Sequence, residues 1–110
     1  MPTYLVERVL PGATIDAVEA IRYAAQRACD DFAAAGKTVR YLRSTFTPGE
    51  SRCRCLFQAS TVDLIQELND VAQIPYSRIV LAVDLAAEEP TGGNGSGAGG
   101  IGPAAGEAMR

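Results

Sequence analysis

The chain has 110 residues and a formal net charge of −3, with three cysteines and no histidine. Its ten Lys and Arg are scattered, so it lacks the basic patch typical of nucleic-acid binding. No apolar run approaches the roughly 18 residues that span a bilayer. Without histidine, the usual general base near neutral pH and the commonest imidazole metal ligand are missing. These features predict one small cytoplasmic domain with reduced thiols and no nucleic-acid or membrane partner.

The first predicted element is a strand over residues 3–9, which are rich in β-formers and are followed by the turn signal Pro11-Gly12. Alternation places Glu7 on one face of this strand, and Val6 and Arg8 on the other. Neither face is cleanly apolar, and Arg8 is interpreted as a candidate rim residue.

A helix is predicted over residues 15–35, because apolar residues recur at spacings of three and four. Thr14 is its expected N-cap, and Gly36 is the expected stop at its C-terminal end. The many alanines of this helix favour close packing against a sheet.

Two further strands are predicted over residues 38–47 and 52–59, joined by a short hairpin turn that makes them antiparallel neighbours. The apolar face of the second of these strands carries Cys53, Cys55, Phe57 and Ala59. A second helix is expected over 60–72, and the apolar run 78–85 is the last strand. Residues 1–87 form the predicted domain, and 88–110 a flexible tail rich in Gly and Ala.

This order of elements predicts an α+β fold, the ferredoxin-like βαββαβ sandwich, with a four-stranded antiparallel sheet and two helices on one face. The first and third strands are then the central pair. The other face of the sheet is bare in a monomer. A second copy packed on it would enclose a cavity, so a homodimer of the dimeric α/β-barrel type is expected.

Cys53 and Cys55 share a strand face and could hold a soft or borderline metal ion if Glu7 or a partner subunit supplied further ligands. The alternative is that both cysteines are small core residues, since free cysteine is often buried. Glu7 is a carboxylate in a central strand, where burial demands a partner. It could accept a proton, bind a metal, or pair with an arginine such as Arg40 or Arg54.

An anionic or aromatic small molecule is the second candidate ligand, because arginine forks to carboxylates and asparagine can orient them. Its predicted binding residues are Glu7, Tyr41, Arg43, Arg54 and Asn69. Tyr41 and Asn69 could equally have structural roles.

Several short motifs together resemble one family. They are residues 4–8 (YLVER) with Pro11-Gly12, residues 41–44 (YLRS), Cys55 with Ala59, residues 67–69 (ELN), and residues 74–79 (IPYSRI). This family comprises small bacterial ferredoxin-like domains of largely unassigned function, and one member is described as a nickel-binding protein. The resemblance covers about residues 3–85 and implies a dimeric α/β-barrel-like assembly with a metal, such as nickel, or a small-molecule site. The missing histidine departs from common nickel sites.

These observations favour a small dimeric protein that binds a ligand or a metal in a cavity between two sheets, without firm catalytic activity. A cofactor-free monooxygenase or isomerase using Glu7, Tyr41 and Asn69 is an alternative based partly on fold analogy. A regulatory or assembly domain is the third hypothesis.

Overall fold

The computed structural model describes residues 1–88, which fold in the order β-α-β-β-α-β. One antiparallel sheet, with strand order β2-β3-β1-β4, contains β1 (Thr3–Val9), β2 (Val39–Thr47), β3 (Arg52–Ala59) and β4 (Arg78–Ala82). The helices are α1 (Ile15–Ala34) and α2 (Val62–Val71), and both contribute to one core with one face of the sheet. The predicted ferredoxin-like sandwich, with β1 and β3 in the centre, is confirmed.

Helix α1 has the caps that its sequence predicts. The Thr14 side chain accepts a hydrogen bond of 3.1 Å from the backbone N–H of Ala17, which satisfies one donor at the helix start. Beyond the last turn, Gly36 has a φ of +81°, a conformation that glycine adopts without a steric penalty. The chain then turns back through a hydrogen bond of 2.8 Å from the Lys37 N–H to the Phe32 carbonyl.

The hairpin between β2 and β3 contains an irregularity that changes the face assignment of β2. Tyr41 pairs with Phe57, and Arg43 pairs with the adjacent Leu56, so one extra residue, Leu42, is inserted between them. Strict alternation over the predicted strand 38–47 puts Tyr41 and Arg43 on the same face, and the structure shows that they lie on opposite faces. A β-bulge reverses the alternation, so Tyr41 faces the helices and Arg43 faces the other way.

The two faces of the sheet differ in composition and burial. On the helix face, β3 buries Cys53, Cys55, Phe57 and Ala59, while the residues between them are only partly buried. Cross-strand partners share a face. The opposite side, which we call the open face, therefore carries Thr3, Leu5, Glu7 and Val9 of β1, Arg52, Arg54, Leu56 and Gln58 of β3, and Arg78 and Val80 of β4.

Strand β4 ends at Ala82 rather than at the predicted residue 85, and residues 83–88 follow it without regular secondary structure. Apart from Glu88, the predicted tail over 88–110 lies outside the described residues. Neither helix within residues 1–88 combines the length and apolar character needed to cross a lipid bilayer.

Candidate functional site

Glu7 and the two strand cysteines lie on opposite faces of the sheet. Glu7 pairs with Arg54 across β1 and β3, whereas its neighbour Arg8 pairs with Cys53. The expectation that the Glu7 side chain lies near Cys53 or Cys55 is therefore wrong. Successive side chains of a strand point to opposite faces, so Glu7 cannot share one metal ion with these thiols in a single chain.

On the open face, Glu7 is surrounded by three arginines from two strands. Its carboxylate accepts a hydrogen bond of 2.7 Å from Arg78 Nε and one of 3.1 Å from Arg52 Nη1, and it lies 3.5 Å from Arg54 Nε. The hydrogen bond from Arg78 lowers the pKa of Glu7, with burial opposing this effect and Arg52 adding to it. The predicted alternative, an arginine ion pair for this buried carboxylate, is present.

We call Arg52, Arg54 and Arg78 the arginine cluster. Their side chains are 43%, 34% and 63% exposed, against 6% for Glu7. Glu50, which lies 3.6 Å from Arg54, is a second and more exposed carboxylate beside this cluster. Since each guanidinium carries five N–H donors, the two carboxylates leave several donors facing solvent.

An apolar row borders the arginine cluster. Leu5 pairs with Leu56 on one side and with Val80 on the other, so the three side chains are adjacent on the open face. All three are partly buried. Arg43, at the outer end of this row, forms an ion pair with Asp84. The open face therefore presents apolar and cationic rows side by side.

The helix face carries a second polar group, built around sulfur. The sulfurs of Cys53 and Cys55 are 3.8 Å apart, and the Ser44 hydroxyl donates to the Cys55 sulfur at 2.9 Å. Tyr41 in turn contacts the Ser44 hydroxyl at 2.6 Å. Arg8 is fully buried on the same face and donates from Nη1 to the Pro75 carbonyl at 3.0 Å.

The thiols respond differently to these surroundings. The hydrogen bond from Cys53 lowers the pKa of Cys55 to about 6, with desolvation opposing it and the Arg8 charge and Ser44 adding to it. The same contact and burial raise the pKa of Cys53. On α1, desolvation raises the pKa of Cys29 to about 11. Cys55 is thus the thiol best able to lose its proton, with Cys53 as the donor to it.

The residues do not fit the predicted nickel site. Within residues 1–88, no group of three or more His, Cys, Asp or Glu side chains converges. Cys53 and Cys55 supply two donors beside the positive charge of Arg8, and Glu7 is occupied by guanidinium groups. A divalent nickel ion needs more ligands than this and a less positive environment.

The five predicted ligand-binding residues do not form one pocket. Glu7, Arg43 and Arg54 share the open face, whereas Tyr41 is on the helix face. Asn69 is fully buried in α2, where its amide donates to the Ile65 carbonyl at 2.8 Å. For the same reason, the constellation of Glu7, Tyr41 and Asn69 considered for a monooxygenase or isomerase is not assembled within one chain.

Sequence reasoning missed the burial of Arg8, which it interprets as a candidate rim residue, because alternation places Arg8 on the face of Val6 without showing which face the helices cover. It also missed Ser44, because the bulge in β2 reverses the alternation that would locate it. Arg78 was not singled out, since it lies at the first position of a short strand.

The comparisons with known proteins agree with this fold. A family described as nickel responsive protein SCO4226-like matches residues 4–81. The crystal structure of SCO4226 from Streptomyces coelicolor A3(2) matches with a TM-score of 0.64 and 17% identity, over 77% of this chain and 99% of that chain. No curated protein matches. Because the family match covers more than half of its residues, the chain belongs to the SCO4226-like family of nickel responsive proteins.

Proposed function

We propose that this protein is a homodimeric binding domain whose open faces enclose a site for a small anion with an apolar body. The observation that carries the proposal is the arginine cluster beside the apolar row. Leu5, Leu56 and Val80 offer a surface for the apolar body, and the cluster next to them offers unused guanidinium donors for a carboxylate or phosphate.

A second copy is part of this proposal because one sheet alone is a flat surface. Ligand sites are concave and bury most of the ligand, which a single open face does not do. Packing two open faces together would remove both apolar rows from water and leave the two arginine clusters lining the space between them.

Glu7 has a positioning role in this arrangement. Three guanidinium groups that converge without an anion repel one another, and the carboxylate of Glu7 holds Arg52, Arg54 and Arg78 together. Its two oxygens cannot accept hydrogen bonds from all the N–H groups of three arginines, so the cluster retains donors that can bind an external anion. This favours an anion over a metal cation on the open face.

Oligomeric state is tested first, by native mass spectrometry and sedimentation of the wild type and of Leu5→Asp. We expect a wild-type dimer and a monomeric variant, because the new carboxylate would be buried against the partner's apolar row. Ile15→Asp is the matched control, since Ile15 is 68% exposed at the start of α1, where an acidic residue is tolerated. A Leu5→Asp protein that stays dimeric would contradict face-to-face packing.

Ligand class is tested by calorimetric titration with phenyl phosphate, and with phenol as the neutral analogue of the same body. We expect phenyl phosphate to bind and phenol to bind at least about tenfold more weakly, because each charge-assisted hydrogen bond contributes roughly 1.5–3 kcal/mol. Arg52→Gln should weaken the binding of phenyl phosphate and leave the binding of phenol unchanged. Arg27→Gln, on the exposed side of α1, should alter neither affinity. Equal binding of the two probes would refute anion recognition.

Nickel responsiveness, which the family description supplies, is tested in the same native mass spectra by adding Ni²⁺. We expect no ion bound jointly by Cys53, Cys55 and Glu7, because these residues face opposite sides of the sheet. Stoichiometric nickel binding that is lost both in Glu7→Gln and in Cys55→Ser would overturn this expectation.

A further inference from the structure

Arg8 is a buried charge with an unusual set of neighbours. Its side chain is fully buried, and its Nε and Nη2 atoms have no hydrogen-bond partner. Among residues 1–88, no carboxylate lies within ion-pair distance of it, although Arg43, Arg52, Arg54 and Arg78 each have one. A buried guanidinium without an anion is costly. The polar groups beside Arg8 that can carry negative charge are the thiols of Cys53 and Cys55.

We propose that Cys53 and Cys55 bind one soft monovalent metal ion, of which Cu(I) is the biological example, as a two-coordinate dithiolate balanced by Arg8. Thiolates are the ligands that select Cu(I). Two thiolates and one monovalent ion leave a single negative charge, and the guanidinium of Arg8 cancels it. With a divalent ion in the same place, the group would carry a net positive charge in the core, at a high desolvation cost.

The distance between the two sulfurs suits such a site. They are 3.8 Å apart in the metal-free chain. Two metal–sulfur bonds of roughly 2.3 Å placed in line would span about 4.6 Å, so the sulfurs need to separate by less than about 1 Å. Small rotations of the Cys53 and Cys55 side chains can supply that change. A two-coordinate ion requires no further ligand, which matches the donors present on the helix face.

Binding exchanges thiol protons for the ion. In the metal-free site the two sulfurs are 3.8 Å apart, so one S–H can donate to the other sulfur. The ion forms bonds to both sulfurs as thiolates, and each S–H bond present beforehand breaks, its proton passing to solvent. No group is oxidised or reduced. The Ser44 hydroxyl, which donates to Cys55, remains available to stabilise the sulfur charge.

A route to the sulfurs begins at a cavity of about 250 Å³ between the start of α1 and β2. Ile15, Val18 and Phe46 line it, and Ser44 contributes to the same lining. Since the Ser44 hydroxyl touches the Cys55 sulfur at 2.9 Å, the cavity ends one side chain away from the proposed site. Ser44 is therefore the residue that contacts both this cavity and the proposed site.

The test is an anaerobic titration of pre-reduced protein with Cu(I), with bicinchoninate as the competing chelator and native mass spectrometry for stoichiometry. We expect one ion per chain, and affinity reduced by at least about 100-fold in Cys53→Ser and in Cys55→Ser. Cys29→Ser is the matched control, because Cys29 is also a buried thiol but lies on α1, and it should bind as the wild type does. Retained binding in both strand variants, or equal loss in Cys29→Ser, would overturn the proposal.

Three further experiments do not depend on the serine variants. Two are measurements on the wild type, and the third uses the variant Arg8→Met. X-ray absorption should show two sulfur neighbours around copper, and binding at pH 7.5 should release protons, because S–H bonds are replaced by copper–sulfur bonds. Arg8→Met should lower the Cu(I) affinity about tenfold, while Arg27→Gln leaves it unchanged. Copper with nitrogen or oxygen neighbours would reject the dithiolate, and unaltered affinity in Arg8→Met would reject Arg8 as the counter-charge. Neither outcome bears on phenyl phosphate binding at the open face.

Discussion

Glu7 and Arg8 are consecutive residues of the same strand and both are buried, but their charges have opposite kinds of surroundings. Glu7 lies on the open face and contacts three arginines. Arg8 lies on the helix face, where one backbone carbonyl accepts from it and its remaining neighbours are thiols and core residues. These two residues cannot neutralise each other, because a strand sends successive side chains to opposite faces.

One strand thus contributes a charged residue to each of two surfaces that differ in their exposure to solvent. Partial exposure of the arginine cluster lets water share the cost of its positive charge, so excess cation is tolerated there. On the helix face Arg8 is fully buried, and within residues 1–88 its charge is compensated by the Pro75 carbonyl, which accepts from it, and by the polarisable sulfurs of Cys53 and Cys55. The open face is therefore suited to binding an anion from solution, and the helix face to stabilising a buried thiolate of Cys53 or Cys55.

The largest expected effect comes from truncating Arg8. Arg8→Ala should lower the free energy of unfolding by about 2–5 kcal/mol, the range found when a long buried side chain is cut to alanine. Arg8→Met keeps most of the packed volume and removes the desolvated charge, so we expect it to stay within about 1 kcal/mol of the wild type. Urea denaturation of both variants measures the difference. Equal destabilisation by Met and Ala would mean that the charge, rather than packing, is needed for stability.

An intermediate effect that depends on pH is expected for Glu7→Gln. The folded protein holds the pKa of Glu7 below its usual value of 4.5, so the ionised carboxylate stabilises the fold at pH 7. That contribution is complete above about pH 4.5 and is lost as the pH falls through the lowered folded-state pKa. Urea midpoints of wild type and Glu7→Gln should therefore differ at pH 7 and converge at acidic pH.

Glu19→Gln provides the control for this titration, because Glu19 is an exposed carboxylate that forms an ion pair with its helix neighbour Arg22 in α1. Its midpoint should follow the wild type closely at every pH. A gap between wild type and Glu7→Gln that is equally wide at pH 7 and in acid would show that shape, and not charge, is what Glu7 contributes.

The sequence predicted the fold well because the hydrophobic period, the caps of α1 and the short hairpin all favour the same topology. Thr14, Gly36 and the alternating residues of β3 each act through local geometry that can be derived from the chain alone. The ion pairing of Glu7 was also foreseen as an alternative, since a buried central carboxylate requires a partner.

The sites were predicted less well, because they depend on register. A single inserted residue, Leu42, moves Tyr41 away from Arg43 and brings Ser44 to Cys55. Nothing in the local sequence identifies this bulge, since Leu42 is an ordinary strand residue. The placement of Glu7 beside the cysteines failed for a simpler reason. Glu7 pairs with Arg54, which lies between the two cysteines in β3, so it shares the open face with Arg54.

The smallest expected effect is that of Arg78→Gln, which sharpens the contrast with Arg8. Arg78 has the shortest contact to Glu7, 2.7 Å, yet its side chain is 63% exposed. We expect a loss below about 1 kcal/mol in unfolding free energy, because exposed ion pairs are weak and two other arginines remain on the carboxylate. The loss should shrink further in 1 M salt, where charges are screened within roughly 3 Å. A loss above about 2 kcal/mol that persists in salt would mark Arg78 as structural, and its guanidinium would then not be available to a ligand.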